Sequence, residues 1–244
     1  MLNRVSIIPL APVLLIQGRR VRARTPQLPE AAGARSGTLG EGPLLNLLIL
    51  GDSAAAGVGV NEQREALSGQ LAEQLAQRLT VNWTLQAHTG LKVNDYLPPS
   101  DRLPQLQADV VVISLGVNDV TSSISPLRWV RRMVRLADNL NLLYRPQQIL
   151  MSSIPPMHRF PALPQPLRWY LGQRAMLFNR LLKRHLADIA NVSVVDVEFT
   201  QSPDMIASDG FHPGAAGYTA WAQALAERIH PPASASARRA VTGD

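Results

Sequence analysis

The 244-residue sequence predicts an α/β fold built on a parallel sheet, and three observations carry that prediction. First, five short apolar runs are each closed by turn residues, as strands buried on both faces should be. The clearest is DVVVISL at 109–115, ended by Gly116. Second, the segments between them place apolar residues three and four apart, which keeps one face of a helix apolar. Third, strands and helices alternate along the chain, so consecutive strands need crossover connections and parallel pairing.

The elements follow in order. Residues 1–43 read as a basic, partly apolar leader and linker. The run VSIIPLAPVLLI at 5–16 follows Arg4 and precedes QGRRVRAR. At twelve residues it is shorter than the roughly 20 that a membrane span needs, and Pro9 and Pro12 interrupt it. Most of the charge follows the run and no A-x-A cleavage site does, unlike a secretory signal. Basic residues placed there favour the cytoplasmic side. The leader is therefore expected to make peripheral contact with an anionic membrane surface through residues 1–24. The protein itself is expected to be cytoplasmic, at the inner membrane face. Packing of the leader on the domain is the alternative. Residues 25–43, rich in Pro, Gly and Ala, read as a linker.

Residues 44–230 form the domain. Strand one covers 44–50, and a helix over 63–80 presents Leu67, Leu71, Leu75 and Leu79 on one face. Strand two is 81–87, followed by a proline-broken connection over 91–107 and strand three at 109–115. Pro126 opens a helix, with Leu127, Val130, Val134, Ala137 and Leu140 opposite arginines. Strand four is 148–152. The stretch 154–166 holds five prolines and is irregular. A long helix over 167–189, strand five at 192–197, a loop over 201–212 and a helix from Pro213 complete the domain. Residues 231–244 read as a disordered tail.

The net charge of +6 is a property of the ends. Residues 1–40 carry +5 and residues 231–244 carry +1, leaving 41–230 neutral. A neutral body argues against a nucleic-acid groove in the fold. There are no cysteines, so disulfides, thiolate metal sites and cysteine nucleophiles are excluded.

The polar residues beyond the strands assemble into one chemistry. Ser53 follows strand one, Gly90 strand two, Asn118 strand three, and Asp209 with His212 strand five. Open α/β sheets place ligands beyond the carboxyl ends of their strands, so all five can converge on one edge. A serine needs a base to become nucleophilic, and histidine is the side chain that titrates near neutral pH. His212 is the candidate base, with Asp209 three residues earlier to orient it. The backbone N–H groups of Ser53 and Gly90 and the Asn118 amide are candidate donors to an oxyanion. Taken singly, each has a plainer reading: Ser53 as a helix cap, Gly90 and Asp209 as turn residues, Asn118 as a cap, His212 as a helix-start residue.

Together, GDS at 51–53, Gly90, GVND at 116–119 and DGFHP at 209–213 resemble the sequence blocks of the SGNH hydrolases, the GDSL esterase and lipase superfamily. The resemblance spans residues 44–230. It implies a three-layer, flavodoxin-like α/β fold with five parallel strands in the order 2-1-3-4-5. It also implies Ser53 as nucleophile, Asp209 and His212 as its triad partners, and Ser53, Gly90 and Asn118 as the oxyanion hole. Position 54 is alanine where the family name has leucine, and Leu-Lys-Val follows Gly90.

The expected activity is hydrolysis of carboxylic acyl esters of short to medium chain, lysophospholipid-like or thioester substrates included. Sugar O-deacetylation and acyl transfer are the related alternatives, and a non-catalytic membrane-surface binding protein is the distant one. Met157, Phe160 and Leu163 are expected to wall an acyl pocket, with Trp169 and Tyr170 nearby. The sequence holds no P-loop, G-x-G-x-x-G or metal-ligand cluster, so no cofactor and no metal are expected. The partner expected is a small-molecule or lipid ester.

Overall fold

The computed structural model describes residues 8–199 and 202–231. Its elements are α1 (Ala11–Arg24), β1 (Ser36–Leu39), β2 (Leu44–Gly51), α2 (Leu67–Ala76), β3 (Thr80–Ala87), β4 (Val110–Ser114), α3 (Val117–Val120), α4 (Pro126–Tyr144), β5 (Gln148–Ser152), α5 (Leu167–Leu186), β6 (Val192–Val195) and α6 (Ala215–Ala226). The sheet order is β1-β3-β2-β4-β5-β6. The last five strands of that order pair in parallel, and they reproduce the expected 2-1-3-4-5 arrangement.

Central strands are apolar because both of their faces are covered. Every residue of β4 is buried, and β2 is buried from Leu47 to Gly51. The β2–α2–β3 crossover steps one way along the sheet, while β4–α4–β5 and β5–α5–β6 step the other. Right-handed connections therefore put α2 on one face and α4 and α5 on the other. Helix α6 packs beside α2, and α4 beside α5, which completes three layers. Helix α4 shows the local logic. Ser125 caps it by accepting the Arg128 N–H, Pro126 fills its first turn, and Trp129, Val130, Met133, Leu136, Ala137 and Leu140 face inward.

Two expectations for the N-terminal segment are corrected. Residues 25–43 are not a free linker. They carry β1, which pairs antiparallel with β3 from Ser36↔Thr84 to Leu39↔Val81. The four residues SGTL, ended by Gly40, show no alternation of their own; the unpaired edge of β3 supplies the reason for the strand. Nor do the leader prolines break its helix, because Pro12 lies in the first turn of α1, where a missing N–H costs nothing. Leu14 is buried against the domain, and the Gln17 side chain donates to the Gln165 carbonyl at 2.7 Å and accepts the Leu167 N–H at 3.1 Å. The expected disordered tail lies outside the described residues, apart from Pro231.

The register sets the site. Gly51 of β2 pairs with Ala87 of β3 and with Ser114 of β4, so three strands end level. The buried Tyr96 hydroxyl bolts that edge together. It accepts the Gly51 N–H at 3.1 Å and lies 2.7 and 2.6 Å from the carbonyls of Gly51 and Gln86. Two carboxylates are buried beside it. Burial pushes Asp52 up to about 7 and Asp119 up to about 6, against the Ala54 and Val93 N–H bonds that pull each down. A carboxyl raised in this way keeps a proton in the folded state that the unfolded chain has already lost. Between about pH 4 and 7 stability therefore falls as pH rises.

Tyr96→Phe strands buried backbone groups and should cost about 1–3 kcal/mol in urea unfolding; an unchanged midpoint would refute the bolt. Asp52→Asn should flatten the fall in stability from pH 4 to 7 by up to about 1.4 kcal/mol per pH unit. Identical slopes for the two proteins would show that Asp52 ionises freely.

Candidate active site

The Ser53 turn is built by the residues around it. Gly51 ends β2, and the chain reverses through Ala56 N–H to Asp52 carbonyl (2.9 Å) and Val58 N–H to Ser53 carbonyl (3.1 Å). The Tyr218 hydroxyl of α6 lies 2.8 Å from the carbonyls of both Ala54 and Val58, pinning the turn from below. Gly59, at φ +111°, comes so close to the next loop that a Cβ there would sit 2.3 Å from the Pro213 carbonyl oxygen. That contact brings together two segments about 150 residues apart in sequence.

The second segment carries Asp209 and His212. The Ala207 N–H donates to the His212 carbonyl (2.8 Å), closing a tight loop ahead of α6. Asp209 is buried, and its Oδ1 accepts the N–H groups of Phe211 and His212 at 2.9 and 3.0 Å. Its Oδ2 lies 2.5 Å from His212 Nδ1, while His212 Nε2 lies 2.9 Å from Ser53 Oγ. Burial acts to raise the Asp209 carboxyl, but the hydrogen bond and charge of His212, with the two N–H groups, hold it below the usual carboxylate range. An ionised carboxylate only accepts, so Nδ1 carries the proton and Nε2 is free to take one from the serine. The three side chains form one hydrogen-bonded chain.

The oxyanion candidates meet the same edge. Gly90 sits at φ +86° in an exposed turn just past β3, with open space around the position a Cβ would take. Asn118 lies on α3, just past β4. Its amide donates to the Leu91 carbonyl at 3.0 Å and, at the long limit of 3.4 Å, to Asp52 Oδ2. Asn118 thus links the Gly90 turn to the residue preceding Ser53. Among the described residues, the backbone N–H groups of Ser53 and Gly90 donate to no protein acceptor.

The expected acyl wall is not a wall. Met157, Phe160 and Leu163 are all buried, and the Phe160 ring meets Phe211 edge-on with centroids 5.7 Å apart. Apolar side chains in a proline-rich loop gain more by joining the core than by lining an open groove. Phe160 backs the Asp209–His212 loop, and Met157 and Leu163 are core residues. Tyr170 is half-buried beside Arg174, and Trp169 is exposed on α5. A cleft of about 550 Å³ lies next to this loop, lined by Ile154, Pro156, Arg159, Met176 and Glu198 among others, and none of Ser53, Asp209 and His212 borders it. Among the described residues no group of His, Asp and Glu side chains could hold a metal ion.

Residues that the sequence reading passed over also shape the site. Glu30 and Arg35 reach the Gly90 turn from the segment read as linker: Glu30 Oε1 accepts the Thr89 N–H at 2.6 Å, and Arg35 donates to the Ala87 carbonyl at 2.5 Å. Burial works to raise Glu30, but Thr89 and the neighbouring Arg35 outweigh it and hold the carboxyl low. The available signal was an opposite-charge pair, Glu30 and Arg35, in a stretch whose only other charged residue is Glu41.

Residues 49–220 match the model of the GDSL-like Lipase/Acylhydrolase family. A GDSL-like esterase of Mycobacterium tuberculosis is 28% identical over 243 aligned residues, covering 86% of this chain and 74% of its own length. Among solved structures, TesA superposes with a TM-score of 0.60 at 20% identity, over 76% of this chain and 98% of that one. Axe2, an acetylxylan esterase of Geobacillus stearothermophilus, does so with a TM-score of 0.56 at 18% identity, over 78% and 97%. At such identities the two structures speak for the shared fold. The family match covers most of the chain and includes both the Ser53 turn and the Asp209–His212 loop: the chain belongs to the GDSL-like lipase/acylhydrolase family and is a serine ester hydrolase.

Proposed function

We propose that the chain hydrolyses carboxylic esters with short to medium acyl groups through an acyl-enzyme on Ser53. The observation that carries this reading is the unbroken hydrogen-bonded chain from Ser53 Oγ through His212 to the buried Asp209. Ser53 Oγ attacks the ester carbonyl as its proton passes to His212 Nε2. Asp209 stabilises the imidazolium that forms. The tetrahedral oxyanion is met by the N–H groups of Ser53 and Gly90 and by the Asn118 amide, whose long contact to Asp52 is the one easily given up. His212 returns its proton to the departing alkoxide, which leaves as the alcohol. Water, deprotonated by His212, then attacks the acyl-enzyme, and collapse of the second intermediate frees the acid and restores Ser53.

Small acyl groups suit the site best, because Met157, Phe160 and Leu163 are packed shut. The same observation favours sugar O-deacetylation as the second reading, in line with the acetylxylan esterase among the structural relatives.

Helix α1 supports the proposed contact with an anionic inner leaflet. Its outer face exposes Val13, Leu15 (65%) and Ile16 (50%), and then Arg19, Arg20, Arg22 and Arg24. None of these arginines pairs with a carboxylate among the described residues. Apolar contact and arginine–lipid attraction then act side by side. No helix among the described residues is long and apolar enough to cross a membrane.

A p-nitrophenyl ester series from acetate to palmitate tests the first reading. Turnover should peak at the short end, vanish in Ser53→Ala and fall by about 10²–10³ in kcat in Asn118→Ala. Folded wild-type protein that neither turns over any ester nor is labelled at Ser53 by a fluorophosphonate would sink it. Vesicle sedimentation tests the membrane contact. Binding should need anionic lipid and weaken in Leu15→Asp/Ile16→Asp, and equal binding to neutral vesicles would contradict the electrostatic part.

A further inference from the structure

Residues 30–35 touch both loops on which oxyanion stabilisation depends. On one side, the Ala31 N–H donates to the Ala56 carbonyl (3.3 Å) and the Ala32 N–H to the Asn61 carbonyl (2.8 Å), while the Ala32 carbonyl accepts the Gln63 N–H (2.7 Å). The buried Gln63 amide joins the carbonyls of Ala31 and Ala56 at 3.1 and 2.9 Å, and Ser68 holds its oxygen at 2.8 Å. Gly57, at φ +87°, leaves room for this approach: a Cβ there would meet the Ala31 Cβ at 2.6 Å. The segment is thus docked on the Ser53 turn.

On the other side stands the Glu30–Arg35 pair, joined at 2.5 Å and about one quarter to one third exposed. Glu30 accepts the Thr89 N–H, one residue before Gly90. Arg35 donates to the Ala87 carbonyl, and its own carbonyl accepts the Leu85 N–H at 2.7 Å, continuing the β1–β3 ladder toward the turn. His88 Nδ1 lies 3.7 Å from Glu30 Oε2, the oxygen that meets Arg35. Beyond Gly90, the Leu91 N–H closes the turn on the His88 carbonyl (3.3 Å), and the Leu91 carbonyl receives the Asn118 amide. A four-residue turn in solvent otherwise has little to hold it, since Gly90 has nothing within 4 Å of the position a Cβ would take.

We propose that Glu30 is a positioning residue for ester hydrolysis: by holding the Thr89 N–H it fixes the turn that carries the Gly90 N–H and orients the Asn118 amide. This inference rests on the acyl-enzyme reading above. Glu30 touches no reacting atom. It acts through the turn, with Arg35 keeping the carboxylate in place, and the docked residues 31 and 32 tie that brace to the Ser53 turn. Donors preorganised in this way need no rearrangement as charge develops on the oxyanion, and displacement by about 1 Å can cost on the order of 10²-fold in rate.

Two mild substitutions separate reach from charge. Glu30→Gln keeps an oxygen at the same reach for Thr89 but loses the charge; Glu30→Asp keeps the charge but draws the oxygen back by one methylene. Each is assayed in the full chain with p-nitrophenyl acetate, after thermal melting has shown it folded. Wild-type turnover and fluorophosphonate labelling of Ser53 come first; absence of both removes the acyl-enzyme reading and this inference together. With wild type active, Glu30→Asp should lose about 10-fold or more in kcat with KM within about two-fold. Glu30→Gln should stay within about three-fold of wild type. Unchanged kcat in Glu30→Asp, an effect confined to KM, or equal loss in both variants would overturn the positioning role while leaving the acyl-enzyme reading intact.

Discussion

Everything at the candidate site depends on the parallel register that levels Gly51, Ala87 and Ser114. A one-residue slip in any of these pairings would reverse which side chains face each layer and would also lift one loop out of line with the others. Burial on both faces enforces the register, because β2 and β4 offer almost no polar position that could tolerate a shift. Tyr96 completes the constraint from the side, by placing one hydroxyl between the ends of β2 and β3. The chemistry beyond the strands inherits its precision from this stack of backbone bonds.

The loops add a second level of order. Ser53 and the Asp209–His212 pair sit on segments far apart in sequence, and the two are joined by a near-contact at Gly59 and by the Tyr218 hydroxyl under the Ser53 turn. Tyr218 belongs to the helix that starts just after His212. One element therefore carries the Asp209–His212 loop at its N-terminus and steadies the Ser53 turn with its first inward-facing ring. Asp209, buried and bonded by two backbone N–H groups, is held by its own loop and not by the sheet.

Much of this was legible in the sequence, and the reasons differ by element. The five parallel strands announced themselves because burial on both faces demands unbroken apolar runs, VVVI in β4 being the extreme case. Ser53, Asp209 and His212 stood out as polar residues directly after such runs or in a short charged loop. What escaped was structure made by tertiary pairing. β1 has the sequence SGTL, without an apolar face, and exists because β3 has an edge to pair with. Nothing in the sequence ties Glu30 and Arg35 to the site, since the backbone groups they hold there lie 59 and 52 residues away. Met157, Phe160 and Leu163 misled for the opposite reason: an apolar residue in an irregular loop looks free, although burial claims it first.

The short strand β1 has one more effect. Without it, the sheet would end at β3, an eight-residue strand whose outward ladder could recruit another chain. With β1 in place, the exposed edge on that side is four residues long, contains Gly37 and runs out at Gly40 and Gly42. So short and interrupted a ladder is a poor template for edge-to-edge association. The segment that steadies the Gly90 turn thus also guards the protein against aggregation through its sheet.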